Sequence, residues 1–258
     1  MRVGADAAAI RRISDTLIQR LVPVPKDAAG TCPSCHTWLP TIREGTPAAV
    51  MSAECENCIE VRTALDRTPL VIAVASLYCK PSPLRDSLTR YKGRNDEDDP
   101  FDASQVELVR SMLGRLLIDH GDALAARFGE PDTLVVVPST DRPPPHPLQA
   151  VLDSLELDVP TLPLLERGPG DMGFRHPHPH GFRALPTDRA RQIWVVDDVY
   201  TTGSRLNSAA VALEAAGHRV LGAVVLARRI NPGYSDEAAH FWDNARGRTF
   251  DWQDGPWV

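Results

Sequence analysis

The sequence predicts an α/β fold: a mainly parallel sheet flanked by helices, preceded by a small N-terminal metal-binding module. Three observations carry this expectation. Apolar runs of strand length, at 70–78, 133–138, 193–196 and 218–227, alternate with segments of helical spacing, the pattern of parallel strands joined by crossover helices. One of these runs, Ile193–Val196, ends in Asp197 and Asp198, passes through the polar loop Thr201-Thr202-Gly203-Ser204 and turns into a helix. Four of the five cysteines fall in two Cys-x-x-Cys pairs, a metal-binding pattern.

Composition sets the outer bounds. A chain of 258 residues holds one sizeable core plus an accessory module. A hydrophobic content of 43% and a charged content of 24% describe an ordinary globular protein. The formal net charge of −6 argues against wholesale coating of nucleic acid. No apolar run approaches membrane-spanning length and the N-terminus lacks a secretory apolar core, so the expected compartment is cytoplasmic, with no membrane contact.

Residues 1–28 read as an amphipathic helix and linker. Ile10, Ile13, Leu17 and Leu21 recur at spacings of three and four, and Pro23 and Pro25 end the helix. That helix is expected to pack on the rest of the protein or on a partner subunit, which leaves room for a homodimer or a protein partner. Residues 29–66 carry Cys32, Cys35, Cys55 and Cys58. Each pair forms a turn that aims two thiolates at one point, and two turns complete a closed tetrahedral site for structural zinc, as in a zinc ribbon. A redox-active Cys-x-x-Cys would need a βαβ setting that these residues lack. His36 is expected to face solvent, and Cys79 to be a small buried hydrophobe.

Residues 67–258 form the α/β domain. A strand at 70–78 is followed by a helix opened by Pro83 and then by Tyr91-Lys92-Gly93. The acidic stretch from Arg94 to Ser104 is expected to be a solvated loop. Val106–Phe128 is helical, with a break expected at Gly121. The strand Thr133–Pro138 leads into Ser139-Thr140-Asp141-Arg142, which lies beyond the end of a parallel strand, where ligands bind in open sheets. A short helix at 146–155 and a strand at 160–165 follow. Gly168–Phe182, with alternating His and Pro, is expected to be an extended, mobile loop beside the site, a second metal site being the alternative reading; Arg175 and Arg183 would reach an anion there if the loop closes. Trp242, Trp252 and Trp257 are expected to pack over the core.

The chemistry concentrates at residues 192–206. A strand, a tight loop with Gly and hydroxyls, and a helix make a phosphate cradle, because loop N–H groups and the helix N-terminus point at an anion. Leu206, Ala209, Ala210 and Leu213 share one helix face, and Gly217 is the stop. Phosphate alone does not need Asp197 and Asp198. Two adjacent carboxylates suit the vicinal hydroxyls of a sugar and help to hold Mg²⁺.

The run Val195-Val-Asp-Asp-Val-Tyr-Thr-Thr-Gly-Ser204 resembles the 5-phosphoribosyl-1-pyrophosphate (PRPP) signature of type I phosphoribosyltransferases. With the Cys₄ module ahead of it, the chain resembles the ComF family of competence-associated proteins. The resemblance covers both cysteine pairs, Leu84–Gly93, Val135–Arg142 and the motif through Ala227-Arg228. It implies a type I phosphoribosyltransferase-like fold with structural Zn²⁺, and PRPP bound with Mg²⁺. It places Asp197 and Asp198 on the ribose, Thr201, Thr202, Gly203 and Ser204 on the 5′-phosphate, and Val199 and Tyr200 in the PRPP site. It places Ser139, Thr140 and Arg142 on the pyrophosphate, and Asp197, Asp198 and Arg142 are the residues it makes catalytic. Where the family has an Arg-rich stretch leading into Arg-Gly-Phe-Asn-Gln, this chain reads Asp141-Arg-Pro-Pro-Pro-His-Pro-Leu-Gln149.

The expected function is PRPP binding with phosphoribosyl transfer to a base or amine acceptor. Two other classes stand beside it. One is an accessory in DNA uptake that binds single-stranded DNA. The other is a sensor that binds PRPP or a nucleotide without turnover.

Overall fold

The computed structural model describes residues 1–26, 30–39, 54–93, 100–139 and 145–255. Four parallel strands form its centre: β1 (Ile72–Tyr78), β2 (Thr133–Val136), β5 (Gln192–Tyr200) and β6 (Arg219–Arg229), in the spatial order β1-β6-β5-β2. The apolar runs that make these strands are buried on both faces, as the sequence pattern requires. A short antiparallel pair, β3 (Leu165–Arg167) and β4 (Phe182–Ala184), stands apart from the sheet. The expected strand at 160–165 reduces to one parallel bridge between Thr161 and Leu134, and the pairing segment begins only at Leu165.

Alternation along the strands divides the core in two. Trp194, Val196, Val224 and Leu226 pack with α1 (Ala7–Asp15), α4 (Ala103–Phe128) and α5 (Pro147–Asp153). Ile193, Val195, Ala223 and Val225 face the other way, towards α6 (Ser204–Ala215), α7 (Asp236–Arg246) and the four cysteines. Helix starts follow their caps: Asp6 accepts from Ala8 and Ala9 N–H, and Ser82 accepts from Arg85 N–H at the head of α3 (Pro83–Arg90), where Pro83 occupies a position needing no donor.

Helix α4 runs without the expected break at Gly121. Gly114 serves close packing, while Gly121 has room for a side chain. A methyl group at Gly114 would lie 2.9 Å from Ile10 Cδ1 and from Leu155 Cδ2, and one at Gly121 would lie 3.5 Å from the Met1 carbonyl oxygen. The N-terminal segment therefore lies directly on α4, and Ile10, Leu17 and Leu21 join its core.

Three other expectations change. His36 is buried, with Nε2 2.9 Å from the Ile72 carbonyl oxygen, because its turn packs on the edge strand β1 instead of facing water. Cys79 is only half-buried, since it lies just past the end of β1. Gly168–Phe182 is a hairpin, not an open loop: Gly168 N–H donates to Gly181 O at 3.1 Å and Gly170 N–H to His180 O at 2.9 Å. Trp242 and Trp252 are buried as expected. The acidic stretch at 94–99 and Trp257 lie outside the described residues.

Candidate functional site

Beyond the C-terminal ends of the strands opens a cleft of about 390 Å³. Every residue from Asp197 to Ser204 lines it. Asp197 and Asp198 lie within β5, not in the loop after it, so their side chains take opposite sides of the sheet. Asp198 turns towards α3: the Tyr91 hydroxyl donates to its Oδ2 at 2.7 Å, and Lys92 Nζ forms an ion pair with the same oxygen. Asp197 accepts from the Asp198 N–H at 2.9 Å.

Electrostatics separate the two carboxylates. Burial pushes Asp197 up to about 7, the Asp198 charge adds to this, and Arg205 and Lys92 oppose it. Burial also works to raise Asp198. There it is outweighed by the charge and hydrogen bond of Lys92, with help from His146 and Tyr91, and Asp198 stays below the usual carboxylate range. The site thus holds one firmly ionised carboxylate beside one that takes a proton near neutrality.

The loop ends in Gly203, whose φ of +84° suits glycine, and α6 begins at Ser204. Thr202 Oγ1 and Ser204 Oγ lie 3.0 Å apart and buried. Asn207 ties the turn down: its Nδ2 donates to Gly203 O at 2.9 Å while its Oδ1 accepts from Leu70 N–H at 2.9 Å. The first N–H groups of α6 have no intrahelical acceptor, so this end favours an anion.

Ser139 lies past the end of β2, next to Pro138, whose carbonyl accepts from Arg205 Nη2 at 2.8 Å. Thr140 and Arg142 lie outside the described residues. Arg175 and Arg183 do not reach into the cleft for an anion. Arg175 donates to Asn57 Oδ1 and Glu56 Oε2, each at 2.9 Å, and Arg183 pairs with Glu166. The cleft instead carries Lys80, Arg85, Lys92 and Arg229. Sequence reasoning passed over these cations; a signal existed only for Lys92, in the turn that closes α3.

The four cysteines converge. Cys32, Cys35, Cys55 and Cys58 are buried, and their sulfurs all lie within 4.8 Å of one another. Cys32 and Cys58 sulfurs are 3.6 Å apart, and those of Cys35 and Cys55 3.5 Å. A tetrahedral zinc tetrathiolate with Zn–S bonds of about 2.3 Å has sulfur–sulfur edges of about 3.8 Å, so the cage fits such an ion. The first pair sits in a turn bracketed by a Thr31–Trp38 bridge. The second sits at the head of α2 (Glu56–Leu65), with Cys55 as N-cap, where the helix end favours thiolate charge. Among the described residues no other group of three or more His, Cys, Asp and Glu is arranged to hold a metal ion, in the His-rich hairpin or elsewhere.

A second pocket of about 230 Å³ separates this centre from the loop, lined by Cys55, Thr201, Thr202 and Arg228 with Trp38 and Tyr234. Among the described residues no helix is long and apolar enough to cross a membrane. No protein-family model matches the chain, and no curated protein matches its sequence.

Proposed function

We propose that the cleft binds PRPP with Mg²⁺ in a type I phosphoribosyltransferase-like fold, and that it transfers the phosphoribosyl group to a base or amine acceptor. One observation carries the reading: an acidic pair and a Gly-hydroxyl loop at a helix N-terminus line a single cleft at the C-terminal ends of parallel strands. Thr201, Thr202, Gly203 and Ser204 hold the 5′-phosphate through loop and first-turn N–H groups and hydroxyls. Asp198, kept ionised by Lys92 and Tyr91, accepts from a ribose hydroxyl. Lys92, Arg85 and Arg229 supply positive charge for the pyrophosphate, whose departure leaves an oxocarbenium-like ribose open to attack at C1. Mg²⁺, when bound, would neutralise pyrophosphate oxygens as these charges build. Cys32, Cys35, Cys55 and Cys58 would hold Zn²⁺, and four thiolate ligands would give it a structural role.

The test is calorimetric titration of PRPP with Mg²⁺, followed by an acceptor screen for pyrophosphate release. Binding in the parent and its loss in Asp198→Asn are expected; PRPP binding that ignores this substitution would overturn the reading. A second reading, binding without turnover, draws support from Arg175, whose N–H reaches Thr202 Oγ1 at 3.4 Å while its guanidinium holds Glu56 and Asn57 of the cysteine module. A ligand on the loop has a route to that module. Tight PRPP binding with no pyrophosphate released to any acceptor would favour it.

A further inference from the structure

Arg228 sits between the two centres and belongs to neither. It lies on β6 directly opposite Tyr200 of β5, 1% exposed, with its guanidinium carbon 4.8 Å from the centre of the Tyr200 ring. Its Nε and Nη1 have no hydrogen-bond partner among the described residues. A cation buried this deeply and so poorly hydrogen-bonded needs compensating negative charge close by. The cysteine cage is the source: Arg228 and Cys55 line the same small pocket, and the cage residues share one packed core with Tyr200. Four thiolates around a divalent ion remain net negative after the metal binds, so this attraction persists in the loaded centre.

On its other side Tyr200 supports the loop. A methyl group placed on Gly203 would collide with the Tyr200 hydroxyl and ring, so the turn at Gly203 rests directly on that side chain. Thr201 and Thr202, at the start of the loop, line the pocket that holds Arg228. The cage and the guanidinium thus share one pocket, the guanidinium stacks on the Tyr200 ring, and the ring underlies the turn that opens α6.

We propose that Arg228 is the internal counter-ion of the metal–tetrathiolate centre and, through the Tyr200 ring, the strut that seats the Thr201–Ser204 loop. Loading of the cysteine cage then sets the geometry of the loop. Arg228 is a positioning residue in this scheme: it touches no substrate. The loop's role as a phosphate cradle rests on the reading above, but the coupling of cage to loop does not.

The experiment uses the full chain, zinc-loaded, with two readouts that need neither PRPP nor turnover. Zinc affinity is measured by competition with a chromophoric chelator, and loop geometry by amide hydrogen exchange across residues 201–206. Arg228→Met keeps the bulk and removes the charge. It should weaken zinc binding by about 10–100-fold, the usual cost of losing a group that supports metal ligands, and accelerate exchange in the loop. Arg228→Lys should recover most of the zinc affinity. Tyr200→Leu should accelerate loop exchange with zinc affinity unchanged. Unaltered zinc affinity in Arg228→Met would overturn the counter-ion role, and unaltered loop exchange in Tyr200→Leu would overturn the strut. Should Arg228→Met fail to fold, stepwise zinc withdrawal from the parent decides: loop amides should lose protection before those of β2, and simultaneous loss overturns the coupling. Failure of the zinc-loaded parent to bind PRPP would count against the proposed function alone.

Discussion

The Tyr91 hydroxyl donates a 2.7 Å hydrogen bond to Oδ2 of Asp198, the same oxygen that Lys92 engages. A carboxylate buried at the end of a sheet is thereby held ionised by two consecutive residues from the turn after α3. Removing either partner leaves a buried charge short of compensation. Lys92→Met should destabilise the fold by about 3–5 kcal/mol and Tyr91→Phe by about 1.5–3 kcal/mol, both read from urea unfolding. Losses below about 0.5 kcal/mol in both would show that the Asp198 carboxylate needs neither.

Stability should depend on pH through Asp197. Its folded pKa is raised to about 7 from an ordinary 3.8, chiefly by burial, so the native state holds a proton that the unfolded chain has released. That contribution is fully present below about pH 4 and is lost as pH rises through 7. Asp198 is shifted the other way, so its contribution is present above 3.8 and fades only in more acidic solution. Of the acidic pair, only Asp197 contributes a slope between these limits; His218, lowered by burial, contributes one of opposite sign. Asp197→Asn should flatten the melting temperature over this range, and an unchanged slope in that variant would rule the assignment out.

Metal content is directly measurable. Elemental analysis should find about one zinc ion per chain, as closure by four thiolates requires. Cys32→Ser and Cys58→Ser should each lose the ion and lower the melting temperature sharply, because the cage shares a core with β1 and β5. Full stability in metal-free protein would contradict this.

Ligand-induced stabilisation tests the cleft and its loop together. PRPP with Mg²⁺ at a hundred times its Kd should add about 2.7 kcal/mol. Gly203→Ala should remove most of that gain. At φ +84° an L-residue costs about 1–2 kcal/mol, and the added methyl displaces Tyr200 from beneath the loop. A parent-like thermal shift in this variant would mean that PRPP does not sit on the loop.

What the sequence made legible was local. Residues 193–217 declare a strand, a turn and a helix because each signal lies within a few positions, and the cysteine pairs declare a metal cage through their own spacing. What it concealed was tertiary. Tyr91 and Asp198 are 107 positions apart, and nothing in either segment points to the other. His36 reads as a surface residue until β1 is packed beneath it. Arg228 closes a run that reads as an ordinary strand end, where an arginine is expected to reach water; its burial over the Tyr200 ring is set by the neighbouring strand. The glycine at 121 reads as a helix break, yet α4 runs through it, because packing against the rest of the core holds that helix together.

Among the described strands β1 pairs with β6 alone, from Ile72↔Ala223 to Tyr78↔Arg229, while Val22 adds one antiparallel bridge at Leu77 on its other edge. On a ribosome, β1 emerges with its apolar faces complete and waits for a partner about 150 residues downstream. Neither the cysteine cage, which leans on β1, nor the acidic pair, which needs β5 flanked on both edges, is finished until β6 has been made. Both centres therefore draw on the same completed sheet. A nascent chain stalled before residue 219 would hold its cysteines and its acidic motif without a complete sheet to carry either.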